Sequence, residues 1–204
     1  MLTSYRYEGK SKEELETKIK EELNVELSGL FVSITEEQGK LFKAKKYLAE
    51  VYKQEDIIGY VKEYIKNLES GLNSKINSEV KFQEDILKIM LVSDNNSILI
   101  GKEGRTLESI QTLIRNSIKN QTGINLKINL DASNYKAKKQ KNLEYEIKKI
   151  AKDVLTTHIE VKLDPMNSYD RRCVHNVISK FENLKSLSYG ESPNRYVVIS
   201  YKED

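Results

Sequence analysis

The tetrapeptide Gly101-Lys102-Glu103-Gly104 limits what this chain can fold into more than any other segment. Two glycines three residues apart let a backbone bend tightly and come close to a partner without Cβ obstruction. Both flanks are helical in pattern. Ile98, Leu99 and Ile100 precede the bend, behind the helix-start cluster Asp94-Asn95-Asn96-Ser97. After it, Leu107, Ile110, Leu113, Ile114 and Ile118 fall on one face of a helix that ends near Gly123. A helix that opens directly after such a bend presents N–H groups without intrahelical partners, so the loop can grip a sugar-phosphate backbone. A GxxG tetrapeptide is also an ordinary way to turn between two helices, and its surroundings must decide between the two.

Those surroundings predict an α-β-β-α-α-β order over residues 54–131. Ile57, Ile58, Val61, Tyr64, Ile65 and Leu68 recur at three- and four-residue spacing, with Gly71 as a stop. Strands follow at 76–83 and 86–92, joined by Glu84-Asp85 in a tight hairpin, and the alternation of Ile124, Leu126, Ile128 and Leu130 predicts a last strand. Residues 1–53 predict β-α-β-β. Tyr5 and Tyr7 mark a strand, and Ser11 precedes a helix carrying Leu15, Ile19 and Leu23. Leu30, Val32 and Ile34 alternate, a Glu-Gln-Gly-Lys turn comes next at 37–40, and 47–52 is another strand. With almost no linker after Gln54, this first part is expected to pack against the segment beyond it. Residues 132–204 predict a long helix with Leu143, Ile147, Ile150, Ala151, Val154 and Leu155 on its apolar face, then a short strand at 160–163. A helix capped by Asn167, with Asp170 placed as in a capping box, carries Val174, Val177, Ile178 and Phe181, and strands at 187–189 and 196–201 close the chain. The fold class is therefore α+β in three small domains, 1–53, 54–131 and 132–204.

Charge is spread unevenly. The net charge is only +3, but residues 1–53 balance ten basic against ten acidic groups, while residues 132–204 hold fourteen against ten. A polyanion would dock on the C-terminal half. The longest nearly uncharged apolar run, residues 97–101, is far short of the roughly 20 residues of a membrane span. The first residues lack the apolar stretch of a signal peptide, and a single cysteine forms no internal disulfide, so a cytoplasmic setting is expected.

The second motif is Arg171-Arg172-Cys173-Val174-His175. Arg171 and His175, four apart, share a helical face and can converge on a phosphate; alternatively they are a surface arginine and a partly packed histidine. The basic run Lys136, Lys138, Lys139 and Lys141 is either a solvated helix face or a candidate accessory track for a strand. His158, at the end of an apolar helical face, reads as a core or cap histidine rather than a ligand.

The segment order around Gly101-Lys102-Glu103-Gly104 resembles the KH domain of prokaryotic topology, which clamps about four nucleotides of single-stranded RNA between its GxxG loop and an apolar groove. By that resemblance Gly101, Lys102, Glu103 and Gly104 form the clamp, Arg105 serves a neighbouring phosphate, and Ile98 and Ile100 line the groove. Glu103 puts a negative charge where many relatives have a basic or neutral residue. The stretch 164–172 with His175, together with Tyr189-Gly190-Glu191 and 195–199, resembles the single-strand-binding domain named for its Arg-x-x-x-His motif, R-3-H. Arg171 and His175 would be its signature pair and Arg172 an accessory phosphate contact.

KH followed by R-3-H is the arrangement of the Jag family of bacteria, also called KhpB, the SpoIIIJ-associated RNA-binding proteins. Residues 1–53 are similar to its N-terminal domain in element order and in the turn Gly39-Lys40-Leu41-Phe42. Relatives often carry a Phe-Gly-Leu-Gly-type element where this chain has Leu41-Phe42-Lys43-Ala44, and a long linker that is missing here. The resemblance implies binding of single-stranded RNA, partnership with a small stand-alone KH protein, and a link to a membrane protein insertase, so that the chain would lie peripheral to the membrane through partners. It also implies an influence on cell elongation and division. No cofactor or metal is assigned.

An enzyme has little to work with. His158 and His175 are the two histidines, none of the motifs HExxH, GxSxG or GxxxxGK[ST] occurs, and Cys173 and His175 point to different faces of a helix. No catalytic residue is assigned. The other rival is a protein-interaction scaffold with a degenerate KH loop, which Glu103 and the neutral first 53 residues keep open.

Overall fold

The computed structural model describes residues 2–24, 27–37 and 45–202. They form two compact units, Met1–Ser133 and Asn134–Asp204, with helices and sheets in both, and the α+β class holds.

The first unit opens with β1 (Tyr5–Gly9), α1 (Lys12–Leu23), β2 (Leu30–Glu37) and β3 (Lys46–Lys53). The strands make an antiparallel sheet in the order β1-β3-β2. Helix α1 starts where Ser11 Oγ accepts from the Glu14 N–H at 3.2 Å while Glu14 Oε2 accepts from the Lys10 N–H at 2.8 Å, two otherwise orphaned donors satisfied at once. It buries Leu15 and Ile19 against Leu30, Ala49 and Val51. The turn expected at 37–40 lies, beyond Glu37, outside the described residues, as do Gly39-Lys40-Leu41-Phe42 and Leu41-Phe42-Lys43-Ala44.

Helix α2 (Gln54–Leu72) follows β3 without a linker and buries Ile57, Val61 and Ile65. It runs past the expected stop at Gly71. Asn73 ends it in the left-handed region at φ 48°, where its short polar side chain tolerates a conformation that most residues avoid. Then come β4 (Ile76–Gln83), β5 (Ile86–Ser93), α3 (Asn96–Ile100), a 3-10 turn Lys102–Gly104, α4 (Arg105–Thr122) and β6 (Lys127–Ala132). Their sheet has the order β4-β5-β6, antiparallel and then parallel. The expected last strand starts three residues later than its alternation suggests. Gly123 caps α4 at φ 71° and the Ile124 N–H is spent on Thr122 Oγ1 at 3.0 Å, which keeps this stretch out of the ladder. Leu107, Ile110, Ile114 and Ile118 are buried, but Leu113 is 51% exposed. One residue short of Ile114, it is rotated by about 100° from the core-facing stripe.

The two sheets of this unit are joined, as the absent linker suggests. Tyr52 donates through its hydroxyl to the Gln121 carbonyl at 3.3 Å, and Gln121 Oε1 accepts from the Leu2 N–H at 3.0 Å. Gln121 Nε2 donates to the Tyr60 hydroxyl at 2.7 Å, and that hydroxyl also bonds Ser117. Phe31 of β2 meets Phe82 of β4 with ring centroids 5.1 Å apart.

The second unit comprises α5 (Tyr135–Thr157), β7 (Val161–Lys162), α6 (Ser168–Ile178), β8 (Leu184–Tyr189) and β9 (Tyr196–Tyr201), its antiparallel sheet in the order β7-β9-β8. Ile147, Ala151 and Val154 of α5 pack with Val174, Val177 and Ile178 of α6 onto Leu184, Val197 and Ile199 of the sheet. Burying each large aliphatic side chain contributes about 1.5–3 kcal/mol. Phe181 joins this core from beyond the end of α6. Asn167 Oδ1 accepts from the Asp170 N–H at 2.9 Å and its amide donates to Asp170 Oδ2 at 3.0 Å, the cap that the spacing predicts.

Candidate nucleic-acid interface

The bend at 101–104 is built by backbone conformation. Gly101 closes α3 by donating its N–H to the Ser97 carbonyl at 2.8 Å and then adopts φ 68°, ψ −175°. A Cβ there would lie 2.1 Å from Thr106 Oγ1, so the position admits no side chain as it stands. Glu103 follows at φ 58°, ψ 14°, and Gly104 at φ 89°. Lys102, Glu103 and Arg105 are exposed around the bend. Arg105 Nη2 sits 3.3 Å from Glu103 Oε2, with both side chains more than 60% exposed. Such a pair contributes between zero and about 1 kcal/mol. Glu103 thus holds Arg105 loosely, and a phosphate need overcome little to recruit the guanidinium. Of the two groove candidates, Ile98 is 38% exposed beside the bend and Ile100 is half-buried, while Leu99 between them is buried.

What holds α3 in place differs from the expected cap. Asn95 occupies the N-cap position without a side-chain bond to the helix. Asp94 takes over the fastening: its Oδ1 accepts from Ser74 Oγ at 2.6 Å and Ser93 Oγ at 3.1 Å, tying the end of α2 to the start of α3. These hydroxyls, Ser74 first, draw its carboxyl below the usual range. Ser74 carried no local signal, because its partners lie some twenty residues away.

In the second unit, α6 and β8 place the Arg-x-x-x-His pair. His175 Nδ1 lies 2.7 Å from Ser186 Oγ and Nε2 lies 2.9 Å from Ser188 Oγ, so both ring nitrogens have partners. Burial, then the nearby Arg171, pushes its pKa below the ordinary histidine value and keeps the ring neutral. Arg171 Nη1 reaches Ser188 Oγ at 3.4 Å, and its buried Nε has no hydrogen-bond partner among the described residues. The pair therefore shares one face, with Ser188 between the two side chains. His175 fastens helix to strand, and Arg172 is the exposed cation of the motif. The alternation Ser186-Leu187-Ser188 was the available sign that two hydroxyls face the helix side of the strand. Cys173 is buried and burial raises its thiol pKa, which makes it a poor nucleophile.

Lys136, Lys138 and Lys141 are exposed at the start of α5, whereas Lys139 bridges to Asp170 at 3.1 Å and so helps tie α5 to α6. His158 is a cap, not a core residue. At φ 59° it ends α5 with its N–H on the Val154 carbonyl, and its exposed ring stacks on Tyr201 at 3.9 Å. Among the described residues no group of three or more metal-ligating side chains converges, and no helix is long and apolar enough to cross a membrane.

Two family models match the chain: a KH domain of the KhpA/KhpB type over residues 55–130 and an R-3-H domain over residues 141–201. An RNA-binding protein KhpB of Bacillus subtilis is 28% identical over 188 residues, covering 89% of this chain and 90% of the relative. One of Clostridium symbiosum is 32% identical over 144 residues, covering 70% and 65%. One of Streptococcus pneumoniae is 23% identical, covering 71% of this chain and 44% of the relative.

Proposed function

Because the chain belongs to the KhpB (Jag) family, we propose that it binds single-stranded RNA, without catalysing a reaction, through the 101–104 bend and the 171–175 motif together. The observation that carries this reading is the bend itself: a backbone turn with Lys102, Glu103 and Arg105 exposed around a buried Gly104, whose conformation excludes a side chain at Gly101, followed at once by the N-terminus of an 18-residue helix. Backbone N–H groups and the helix dipole there favour an anion, and the exposed Lys102 and Arg105 add charge. In this proposal Ile98 and Ile100 offer an apolar edge to the bases. Arg172 contacts phosphate from the second unit, Arg171 and His175 hold the α6–β8 surface that presents it, and Lys136, Lys138 and Lys141 extend the track.

The division into 1–53, 54–131 and 132–204 belongs to the same proposal, supported by the residues the two family models match. So do a small stand-alone KH partner, a link to a membrane protein insertase, a cytoplasmic location and a part in cell elongation and division, all of which rest on the family.

The test is affinity for an unstructured RNA across a salt series. Phosphate contact predicts a linear fall of log K against log salt, with a slope of about −0.7 per neutralised phosphate. Lys102→Asp with Glu103→Asp removes the contribution of the bend and leaves the melt nearly unchanged. Arg172→Ala reduces the slope. Equal RNA retention by the 102/103 double variant and the parent would refute the clamp, and a flat salt response in the parent would favour a protein-interaction scaffold.

A further inference from the structure

The sheet of the second unit has helices on one side only. Val161, Leu184, Val197 and Ile199 point into the core beneath α5 and α6. The intervening residues fall in register on the other side: Lys162 and Leu187 flank Val198, Tyr189 opposes Tyr196, and Lys185 opposes Ser200. This face mixes the apolar and aromatic side chains of Leu187, Val198, Tyr189 and Tyr196 with Lys162, Lys185 and Ser200. Leu187 is 52% and Tyr189 47% exposed, and the Tyr189 and Tyr196 rings sit 6.1 Å apart. Lys162 Nζ lies 4.2 Å from the Tyr196 ring centre. An open concavity of about 520 Å³ lies on it, bounded by His158, Glu160, Lys185, Leu187, Tyr189 and Tyr201 and floored by Val198 and Ser200.

We infer that this face is a base-docking platform, separate from the 171–175 motif, on which one or two unpaired nucleotides of an RNA strand stack. The volume lies within the range of sites that take a small molecule of nucleotide size. Tyr189 presents an aromatic surface at the rim and the stacked His158 and Tyr201 rings present another, as sequence-tolerant stacking requires. Val198 beneath and Leu187 beside it offer an apolar surface for a base. Lys185 and Lys162 outnumber the one carboxylate of the face, Glu160, and supply cations for the phosphates. Glu160 and Ser200 offer acceptors to a base N–H edge. A purely apolar partner would leave Glu160 and the lysines uncompensated. The platform deepens the RNA-binding reading and rests on it.

The experiment measures the full chain against a short unstructured RNA, and against the same RNA carrying abasic positions, across a salt series. Tyr189→Ala weakens binding of the intact RNA roughly tenfold, within the usual range for one lost base stack, with the salt slope unchanged. Tyr189→Phe binds like the parent. Lys185→Gln instead makes the salt slope shallower by about 0.7. On the abasic RNA the Tyr189→Ala difference shrinks. Parent binding that Tyr189→Ala leaves intact would overturn the platform while sparing the RNA-binding reading. A parent that shows no salt-dependent RNA binding would overturn both. Should Tyr189→Ala leave RNA affinity intact but abolish self-association in the ultracentrifuge, the face belongs to a second copy of the chain and the platform is likewise overturned.

Discussion

Replacing Gly101 with alanine tests the physical basis of the bend most directly. At φ 68°, ψ −175° the residue occupies a region open essentially to glycine alone, and placing another residue there costs about 1–3 kcal/mol. The new Cβ also meets Thr106 Oγ1 at 2.1 Å and Thr106 Cβ at 2.8 Å. Relieving such overpacking costs about 1–3 kcal/mol more. With both effects in play, a loss of about 3 kcal/mol is expected, near 10 °C in the melt of a unit of this size. The chain has no tryptophan, so circular dichroism and hydrogen exchange at the buried β5 positions Leu87, Ile89 and Leu91 are the suitable readouts. Adding Thr106→Ala removes the closest contact and recovers about 1 kcal/mol, the remainder being backbone cost. A shift under about 3 °C for Gly101→Ala, or complete rescue by Thr106→Ala, would show that the backbone conformation does not dictate glycine there.

Glu103→Gly removes a side chain from a left-handed position, φ 58°, and is expected to raise stability by about 1 kcal/mol in a urea titration, the opposite sign to Gly101→Ala two residues away. His175 has a folded pKa below that of the unfolded chain, so the stability it contributes is complete above the unfolded value of about 6.5 and is lost as pH falls from there through the lowered folded value. Melts of the parent and of His175→Gln between pH 7.5 and 5 should therefore converge toward acid, and parallel curves would contradict the assignment. Phe31→Ala and Phe82→Ala should couple by about 0.5–1.5 kcal/mol in a double-mutant cycle if the two sheets of the first unit share that contact, and strict additivity would deny it.

Most of the fold was legible because its elements are strongly patterned. The 3–4 spacing from Ile57 to Leu68 and the two Tyr-bearing strands near the N-terminus each survive into the structure with boundaries within a few residues. The errors cluster where a long-range partner or a single backbone angle decides. Asn73 rather than Gly71 ends α2 because a left-handed cap is set by local geometry that two neighbouring candidates can satisfy equally in sequence. Leu113 reads as a core residue because it is apolar and sits beside Ile114, yet one residue of rotation carries it to solvent. At the candidate site, spacing alone places Arg171 and His175 on one face of the helix. It could not show that Ser186 and Ser188 take both ring nitrogens, since those serines lie on another element, a strand. Nor could it show that Asp94 ties down Ser74, or that Lys185, Leu187 and Tyr189 share a face with Val198, which depends on strand register alone.

The bonds that Gln121 makes to Leu2, Tyr52 and Tyr60 sit at one end of α4, and the glycine bend sits at the other. A helix of 18 residues is a rod about 27 Å long, stiff against bending on the scale of a nucleotide. Whatever tugs on the first sheet therefore pulls on the anchored tail of a lever whose tip is the bend, and under the proposed RNA-binding role a partner docked on that sheet would have a mechanical handle on the clamp.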